Sequence, residues 1–314
     1  MDLAALETFL AVVRSGSFSR AAEALHRTQP AVSIAVRKLE EDLGQPLLVR
    51  GSRELKLTDA GRLLVDSSER MLNLREQLRL AIADLAQLRR GQLSLGANES
   101  SIHAILPALG RFRRLYPDIP IAAHRTSSRD VPREVLNYRL DLGVISFIPQ
   151  EPSLTAIEFF HDDLALVVYP RHRFARRRQV DLAEFGEETF IAHIVESPYR
   201  WQVIQLFARH RTMLNRTVEL PTIDSIKRFV QMEMGVAIVP RMCVRFEIER
   251  GALVALNVPQ LRIERRLYLI HRNDHQLPYA AQALLALLAE RPAGRETARR
   301  SSERRLVRVK KEAS

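Results

Sequence analysis

The sequence is poor in cysteine and has no long apolar run. Its 314 residues include one cysteine, Cys243, so the chain cannot form an internal disulfide, which fits a reducing compartment. Cys243 lies in the apolar stretch Met242-Cys243-Val244, and this position favours an inert core thiol over a nucleophile. No run of eighteen apolar residues is present, and MDLAALETFL lacks the pattern of a secretion signal. These absences predict a cytoplasmic protein with no membrane span.

Catalytic and cofactor motifs are absent as well. No two glycines have the spacing G-x-G, so neither a dinucleotide fingerprint nor a phosphate-binding loop is predicted, and no G-x-S-x-G or H-E-x-x-H pattern occurs. His271, Asp274 and His275 could bind a metal, but they stand in a polar stretch where solvated side chains are expected. We therefore expect no enzyme activity, cofactor or metal. The alternatives are an enzyme or small-molecule-binding protein on an α/β scaffold without a DNA function, and a stand-alone solute-binding protein.

The charge of the chain is unevenly distributed. The formal net charge of +11 on its own suggests a nucleic-acid partner. The tail 291–314 carries nine lysines and arginines against three glutamates, whereas 1–57 carries eight basic and seven acidic residues. Most of the excess thus belongs to a tail without a core pattern, which is predicted to be disordered. This tail either adds non-specific attraction to DNA or has no such role.

Two short helices are predicted at the start of the chain. Apolar residues recur at helical spacing from Leu3 onward, and Gly16 ends this first helix. A second, alanine-rich helix is expected over about 20–25, with Ser17 or Ser19 as its cap.

A third helix follows the turn His26-Arg27-Thr28. Thr28 is its predicted cap, Pro30 lies in its first turn, where a missing N–H costs nothing, and Gly44 ends it. Its buried face is predicted to consist of four apolar residues, Val32, Val36, Leu39 and Leu43. Two short helices joined by such a turn form a helix-turn-helix, whose second helix enters the major groove of DNA.

The polar face of this third helix and the segment after it predict DNA contacts. Glutamine can pair with adenine, and arginine with guanine or phosphate. From Pro46 to Thr58 a short hairpin is expected, and the arginines at its turn, Arg50-Gly51-Ser52-Arg53, would contact phosphates. A helical hairpin with solvated charges is the alternative, which the agreement of cap, turn, apolar stripe and hairpin disfavours. The predicted DNA-contacting residues are Thr28, Gln29, Pro30, Ser33, Ile34, Arg37, Arg50 and Arg53.

The stretch FSRAAEALHRTQPAVSIAVRKLEEDLGQPLLVR, followed by LKLTDAG, resembles the N-terminal domain of LysR-type transcriptional regulators. The resemblance implies that Gln29, Pro30, Ser33 and the hairpin arginines lie at DNA. The sequence departs from the family at Ile34 and Ala35, where arginine and glutamine are frequent. Ile34 is expected either to meet a thymine methyl group in the major groove or to turn into the core.

A long helix with a regular apolar seam is predicted from Ala60 to Leu88. The seam alternates steps of four and three residues, a pattern typical of a left-handed coiled coil. Thr58 is the predicted cap, Gly61 lies just inside the helix, and Arg89-Arg90-Gly91 ends it. The seam favours a dimer over a single helix lying on its own domain. The residues assigned to dimerisation are Leu64, Met71, Leu74, Leu78 and Leu85.

From Gln92 onward, strand and helix patterns alternate. QLSLGAN, PIAAHRT and DLGVIS are predicted strands with helices between them, an order typical of a mainly parallel sheet. ALVVYP and TFIAHI open a second, similar half. RRLYLIHR is expected to cross back to the first half, and a helix from Tyr279 to Leu288 closes it. LPALGRFRRLYPDIPI, LDLGVIS, LALVVYP and GVAIVPRM resemble the effector domain of the same family, which is similar to type 2 periplasmic binding proteins.

A ligand site is predicted in the cleft between these two halves. Strand ends and helix N-termini with hydroxyl side chains suit an anion, and a metabolite bearing a carboxylate is the favoured class. Each hydroxyl taken singly could be a helix cap and nothing more. The predicted effector-binding residues are Asn98, Ser100, Ser101, Thr126, Ser127, Ser128, His193 and Thr222.

The expected fold is thus an α/β effector domain joined by a coiled-coil linker helix to a winged helix-turn-helix. The family resemblance implies a bacterial regulator that binds promoter DNA as a homodimer, assembling further into a tetramer, under control of a small effector. RNA polymerase is a further expected partner. The expected boundaries are 1–58 for the DNA-binding domain, 59–90 for the linker, 91–290 for the effector domain (lobe I 91–161 and 268–290, lobe II 162–267) and 291–314 for the tail.

Overall fold

The N-terminal part consists of three helices. The structure, a computed structural model, describes residues 2–49, 55–87, 91–195, 197–273 and 277–289. The three helices are α1 (Leu3–Ser15), α2 (Phe18–Ala24) and α3 (Gln29–Leu43). Each begins at a residue whose side chain accepts a backbone hydrogen bond: Asp2, Ser17 and Thr28. α1 and α3 end at Gly16 and Gly44, both with φ of 64°, a conformation that favours glycine. The predicted helix-turn-helix is confirmed.

The core of this domain lies where the inner faces of the three helices meet. Phe9 and Val32 are fully buried there, and Val36 and Leu39 are nearly so. Leu43 was predicted to extend this buried face, but it is 38% exposed. The prediction is wrong at this position because Leu43 is the last residue of α3, one turn beyond Leu39 and at the edge of the core.

The base of the predicted hairpin is present. Leu48 and Leu57 form an antiparallel bridge, and the N–H of Val49 donates to the carbonyl of Lys56 at 2.8 Å. The turn of the hairpin lies outside the described residues, and with it the predicted DNA contacts Arg50 and Arg53.

A long helix, α4 (Asp59–Gln87), follows. Thr58 caps it as predicted, since its Oγ1 accepts a hydrogen bond from the N–H of Gly61 at 3.0 Å. A Cβ atom on residue 61 would lie 2.2 Å from the carbonyl oxygen of Leu47. Glycine at this position therefore allows the start of α4 to pack closely against the base of the hairpin.

The remainder of the chain forms two α/β lobes. Lobe I is built on β1 (Leu93–Ala97), α5 (Ile102–Leu115), β2 (Ile121–Arg125), α6 (Val131–Leu136) and β3 (Leu142–Ile145). The strand β4 (Leu154–Val168) runs from lobe I into lobe II. Lobe II adds β5 (Ile191–His193), α7 (Pro198–Arg209), β6 (Val218–Leu220), α8 (Ile223–Gln231), β7 (Ala237–Pro240), α9 (Arg241–Glu249) and β8 (Val254–Ala255). The chain returns through β9 (Glu264–Arg272) and closes lobe I with α10 (Tyr279–Ala289).

The main sheet is mixed, so the prediction of a mainly parallel sheet is wrong. Its order is β2-β1-β3-β9-β4-β7, with β8 paired on β4. β1 pairs in parallel with β2 and β3, as expected from their helical connections, but β9 is antiparallel to both β3 and β4. The reason is that β4 and β9 are the two crossover strands, which enter and leave lobe II in opposite directions.

Each lobe has its own apolar core. In lobe I, Leu95, Phe112 and Leu142 are fully buried between the sheet, α5 and α10. In lobe II, Leu166, Phe185 and Val236 belong to a second buried cluster. The two lobes are therefore separately packed bodies joined mainly by two strands, and this arrangement leaves a cleft between them.

Some predictions fall outside the described residues. These are the basic tail 291–314, the end of the seam at Leu88, and two members of the weak metal candidate, Asp274 and His275. Within the described residues, no helix has the length and apolar character needed to cross a membrane. Likewise, those residues contain no cluster of three or more histidine, cysteine or acidic side chains arranged for a metal ion.

Candidate DNA-binding surface and ligand cleft

The outer face of α3 presents the polar residues predicted to contact DNA. Ser33 is half-buried and the others are exposed: Gln29, Pro30 and Arg37. The hydroxyl of Thr28 accepts a hydrogen bond from the N–H of Ala31 at 3.4 Å, so this side chain starts the helix. The inner face of α3 fixes its orientation, because Val32 and Val36 are anchored in the core. The structure thus leaves one continuous polar face available along α3.

Ile34 lies on the solvent side of α3. Its exposed fraction is 62%, so the expectation that it turns into the core is wrong. An exposed isoleucine on this helix offers an apolar group of the kind that contacts a thymine methyl in the major groove. The contact itself stays a prediction.

Glu40 connects α3 to the base of the hairpin. Its Oε1 accepts hydrogen bonds from the N–H groups of Leu47 at 2.8 Å and Leu48 at 3.3 Å. A carboxylate holding two backbone N–H groups is a strong local constraint. The hairpin therefore starts at a fixed position relative to the polar face of α3.

α4 exposes an apolar stripe in the single chain. The large apolar residues of this stripe, with their exposed fractions, are Leu63 (72%), Met71 (43%), Leu74 (46%), Leu78 (60%) and Ile82 (57%). Leu64 was assigned to the same seam, but it packs on the core of the N-terminal domain because the first two turns of α4 lie against that domain. Leu85 lies within α4, and its side chain is outside the described set.

A neighbouring side of α4 is hydrogen-bonded to lobe I of the same chain. The Nδ2 of Asn73 donates to the carbonyl of Asn137 at 2.8 Å, and the Nε2 of Gln77 donates to the carbonyl of Tyr138 at 3.1 Å. Arg139 forms an ion pair with Glu69 at 2.5 Å. We call the segment 137–139 the docking loop. It connects α6 to β3, so it joins the linker helix to the sheet of lobe I.

The cleft between the lobes holds a cavity of about 860 Å³. This volume is within the range of small-molecule sites. Six of the predicted effector-binding residues line it: Asn98, Ser100, Thr126, Ser127, Ser128 and His193. They come from the segments that follow β1 and β2 in lobe I and from the end of β5 in lobe II. The structure therefore brings these six residues together at the strand ends, as the sequence predicted.

Asn98 organises the lobe I wall of the cavity. Its Nδ2 donates to the Oγ of Ser128 at 2.6 Å, and its Oδ1 accepts from the N–H of Ser101 at 2.7 Å and from the Oγ of Ser100 at 3.1 Å. These bonds join the end of β1 to the segment after β2. The hydroxyl groups on this wall are consequently held in fixed positions.

Two of the predicted effector-binding residues do not line the cavity. Ser101 is fully buried, and its hydroxyl contacts the backbone of Asn98 and the carbonyl of Val144. The side chain of Thr222 caps α8 by accepting from the N–H of Ser225 at 3.1 Å. The local capping interpretation is correct for Thr222, whereas the Ser101 side chain makes no capping hydrogen bond to α5 and instead contacts Asn98 and Val144.

A buried arginine at the back of the cleft was not found by sequence reasoning. Arg265 lies on β9 and forms an ion pair with Asp162 at 3.0 Å, with both side chains about 95% buried. Its second amino group donates to the Oγ of Ser100 at 3.1 Å, and its guanidinium lies 5.2 Å from the ring centre of Tyr199. Burial raises the pKa of Asp162 although Arg265 opposes the shift. This pair joins residues 103 positions apart, a separation that carries no local signal.

The charged lining of the cavity is strongly basic. Five arginines face one carboxylate, that of Glu99: Arg125, Arg129, Arg200, Arg216 and Arg265. Arg200 is paired with Glu219 at 2.5 Å and Arg265 with Asp162 at 3.0 Å, and both of these carboxylates lie outside the lining. The side chains of Arg125 and Arg216 have no hydrogen-bond or ion-pair partner among the described residues. The charge balance and the fixed hydroxyls both favour an anionic ligand.

Cys243 is buried on α9, as expected. Burial raises the pKa of its thiol to about 12. The thiolate needed for nucleophilic or redox chemistry is therefore strongly disfavoured.

A helix-turn-helix and a ligand cleft on one chain define a DNA-binding protein that responds to a ligand. Residues 3–62 match the family described as bacterial regulatory helix-turn-helix protein, lysR family, and residues 86–293 match the LysR substrate binding domain. The chain belongs to the LysR family of transcriptional regulators. It is a transcriptional regulator with a DNA-binding helix-turn-helix domain and a substrate-binding domain of the LysR type.

Two relatives have named roles. A probable RuBisCO transcriptional regulator from Trichormus variabilis is 34% identical over 285 residues, covering 88% of this chain and 85% of the relative. The transcriptional activator CmpR from Synechocystis is 28% identical over 282 residues, covering 90% of this chain and 93% of the relative.

Two solved structures are similar over long stretches. CbnR, a LysR family regulator, superimposes with a TM-score of 0.71 at 20% identity, covering 92% of this chain and 98% of that chain, and it supports the fold alone. The regulatory domain of CcmR from Synechocystis, solved in complex with 2-PG, superimposes with a TM-score of 0.57 at 26% identity. This match covers 63% of this chain and 96% of that chain.

Proposed function

We propose that the polar face of α3 reads the operator and that the cleft between the lobes binds the effector as an anion. The observation that carries the second part is the lining of the cleft, which combines fixed hydroxyls with two arginines, Arg125 and Arg216, whose side chains have no hydrogen-bond or ion-pair partner among the described residues. The first part is supported by the exposure of Gln29, Ile34 and Arg37 on one helix. Catalysis has no part in this proposal.

The similar proteins suggest an effector and a set of target genes. CcmR was solved with 2-PG in its regulatory domain, and relatives at 34% identity are named as probable RuBisCO regulators. We propose that this chain responds to 2-PG or a chemically similar anion and controls genes of carbon fixation in a bacterial cytoplasm. The carboxylate class expected from the sequence is compatible with this assignment.

The proposed assembly is a dimer formed along α4, which pairs further into a tetramer. The exposed apolar stripe on α4 supports the dimer, because contiguous apolar surface of this kind marks interaction sites. Two helix-turn-helix units would then face two half-sites of one operator. RNA polymerase is the proposed partner of the assembly on DNA. The proposed boundaries stay at 1–58, 59–90 and 91–290.

Control of DNA binding requires that the effector prefers one arrangement of the two lobes. The docking loop offers a route for this preference, since its backbone accepts hydrogen bonds from Asn73 and Gln77 of α4. A shift of lobe I would therefore change the position of the linker helix and, through it, of the two DNA-reading helices.

Trp201 makes effector binding directly measurable. It is the one tryptophan of the chain and it lines the cleft. Titration of the full-length protein with 2-PG should give a saturable change in tryptophan fluorescence. Arg216→Ala should weaken binding about tenfold, because it removes a cation from the lining. Arg209→Ala, an exposed arginine outside the lining, should leave it unchanged. No saturable change, or equal effects of both variants, would contradict the proposal.

A further inference from the structure

Glu99 of lobe I reaches across the cleft to lobe II. It follows β1, and its Oε1 accepts a hydrogen bond from the backbone N–H of Ile223 at 2.8 Å. Ile223 is the first residue of α8, 124 positions later in the chain. The contact therefore joins the two lobes on the ligand side of the crossover strands.

The acceptor position on α8 suits a negative charge. The first N–H groups of a helix have no partner within the helix, and the helix dipole places partial positive charge there. Thr222 supplies an acceptor for the N–H of Ser225, two residues beyond Ile223. For the N–H of Ile223 the acceptor is the carboxylate of Glu99 from the opposite lobe. A side chain of the protein thus occupies a place where an external anion could be held.

The second carboxylate oxygen of Glu99 lacks a hydrogen-bond donor within the described part of the chain, which is independent evidence that this side chain is unusually placed. Its Oε2 is buried and has no hydrogen-bond partner among the described residues. The nearest basic group, the Nε2 of His193, lies 3.7 Å away and is 3.1 Å from the carbonyl of Pro221. A buried carboxylate oxygen without a donor costs free energy. The contact of Glu99 with Ile223 therefore leaves one carboxylate oxygen unsatisfied, and this free-energy cost favours replacement of Glu99 by another anion.

We propose that Glu99 is a built-in counter-ligand, which holds the two lobes together through Ile223 in the absence of effector and competes with an anionic effector for the basic cleft. The competition rests on the proposed function, since it assumes that the effector is an anion. The lobe contact does not depend on it. Among the described residues, three other hydrogen bonds cross between the lobes: from the Tyr199 hydroxyl to the Ser146 carbonyl, from the Cys243 thiol to the Ser100 carbonyl, and from the Arg265 guanidinium to the Ser100 Oγ. Glu99 is the acidic member of this set.

Hydrogen exchange of the effector-free, full-length protein tests the lobe contact. In Glu99→Ala the amide of Ile223 loses its acceptor, so exchange in the peptide that contains it should become at least about tenfold faster. Glu99→Gln keeps an acceptor oxygen and should stay within about threefold of the parent. Asp224→Ala removes a carboxylate from the same first turn of α8 on its exposed side and should leave this exchange unchanged. Unchanged exchange in Glu99→Ala overturns the lobe contact.

Titration with 2-PG and with inorganic phosphate, read by Trp201 fluorescence, tests the competition. Removal of one negative charge from the cleft should tighten the binding of either anion at least about threefold in Glu99→Gln. Asp224→Ala should bind like the parent. Equal or weaker binding by Glu99→Gln overturns the competition and makes Glu99 a contact for the effector instead. If the parent and all variants bind neither anion, the anionic effector of the proposed function is wrong, while the exchange experiment still decides on the lobe contact.

Discussion

At the scale of single residues, the most specific predictions concern the α3 surface and the buried acid Asp141. Gln29 is exposed at the start of α3, where a helix of this type meets base edges, whereas Gln45 is exposed just beyond its other end. These two glutamines have the same chemistry and differ in their position along the helix. They therefore form a matched pair for testing which end of α3 reads DNA.

Gln29→Ala should weaken binding to the specific operator by about 1–3 kcal/mol, the range of one base contact, and weaken non-specific binding much less. Gln45→Ala should change neither affinity. Titration of both variants against operator and scrambled DNA at one salt concentration measures the difference. Equal losses on the two DNAs for Gln29→Ala would refute a base-reading role.

Asp141 gives a pH-dependent prediction. It is 6% exposed, and burial raises the pKa of its carboxyl above the ordinary 3.8 although Arg272 and the Ser94 N–H act in the other direction. The folded state therefore binds this proton more tightly than the unfolded state. The free energy of unfolding therefore falls as the pH rises from 3.8 through the folded pKa, and above the folded pKa the full loss is present.

Asp141→Asn keeps an oxygen for the N–H of Ser94 and removes the buried charge, so it should raise the free energy of unfolding at pH 7. The gain should shrink as the pH falls toward 3.8. Denaturant unfolding followed by Trp201 fluorescence measures it, with the exposed Asp118→Asn as the control. A gain that is the same at every pH, or a loss at pH 7, would count against a raised pKa.

Sequence reasoning succeeded at residues whose role is local. Thr28, Thr58 and Gly44 start or end helices through contacts within a few positions, and the structure confirms all three. It failed for Arg265, whose partner Asp162 is brought close by the pairing of β4 with β9. Ile34 was left open because an isoleucine fits either face of a short helix.

At the scale of secondary-structure elements, the apolar stripe on α4 is the proposed dimer interface. Leu78→Glu places a charge in the middle of the proposed seam, and it should weaken dimerisation at least about tenfold. Leu43→Glu changes another partly exposed leucine, 38% exposed on α3, and should leave dimerisation unchanged. Sedimentation at several protein concentrations compares the two. A Leu78→Glu variant that stays dimeric would exclude this stripe as the interface.

The docking loop carries the proposed coupling between effector and DNA. Asn73→Ala with Gln77→Ala removes two of its hydrogen bonds to α4 and should lower the ratio of operator affinities with and without 2-PG by about threefold or more. Glu76→Ala with Arg79→Ala removes an ion pair within α4 and should keep the ratio. If both double variants keep it, the signal passes by another route.

Elements were predictable where their pattern was complete. The strands β1, β2 and β3 and the helices α5, α6 and α10 appear where the apolar patterns placed them. Two helices, α7 and α9, were not predicted. Ser197 and Pro198 are recognisable start signals for α7, whereas α9 follows β7 directly and has no capping side chain. The mixed sheet was missed because the direction of β4 and β9 depends on how the lobes connect.

At the scale of the whole molecule, the two lobes form a basic cleft, and Glu99 of lobe I is hydrogen-bonded across it to Ile223 of lobe II. The linker helix contacts lobe I through the docking loop. In this proposal, an anion that binds in the cleft competes with Glu99 and changes the position of the two lobes relative to each other. Lobe I also holds α4 through the docking loop. Ligand control of DNA binding then needs only a difference in effector affinity between two arrangements.

The central claim is that the α3 surface gives sequence-specific binding. The most direct measurement is a titration of the purified protein against its own upstream intergenic DNA and a scrambled control at several salt concentrations. We expect tight binding to the first DNA, a clear preference over the control, and loss of that preference in Gln29→Ala. Weak, strongly salt-dependent binding that is equal on both DNAs, and that disappears when 291–314 is removed, would contradict this claim.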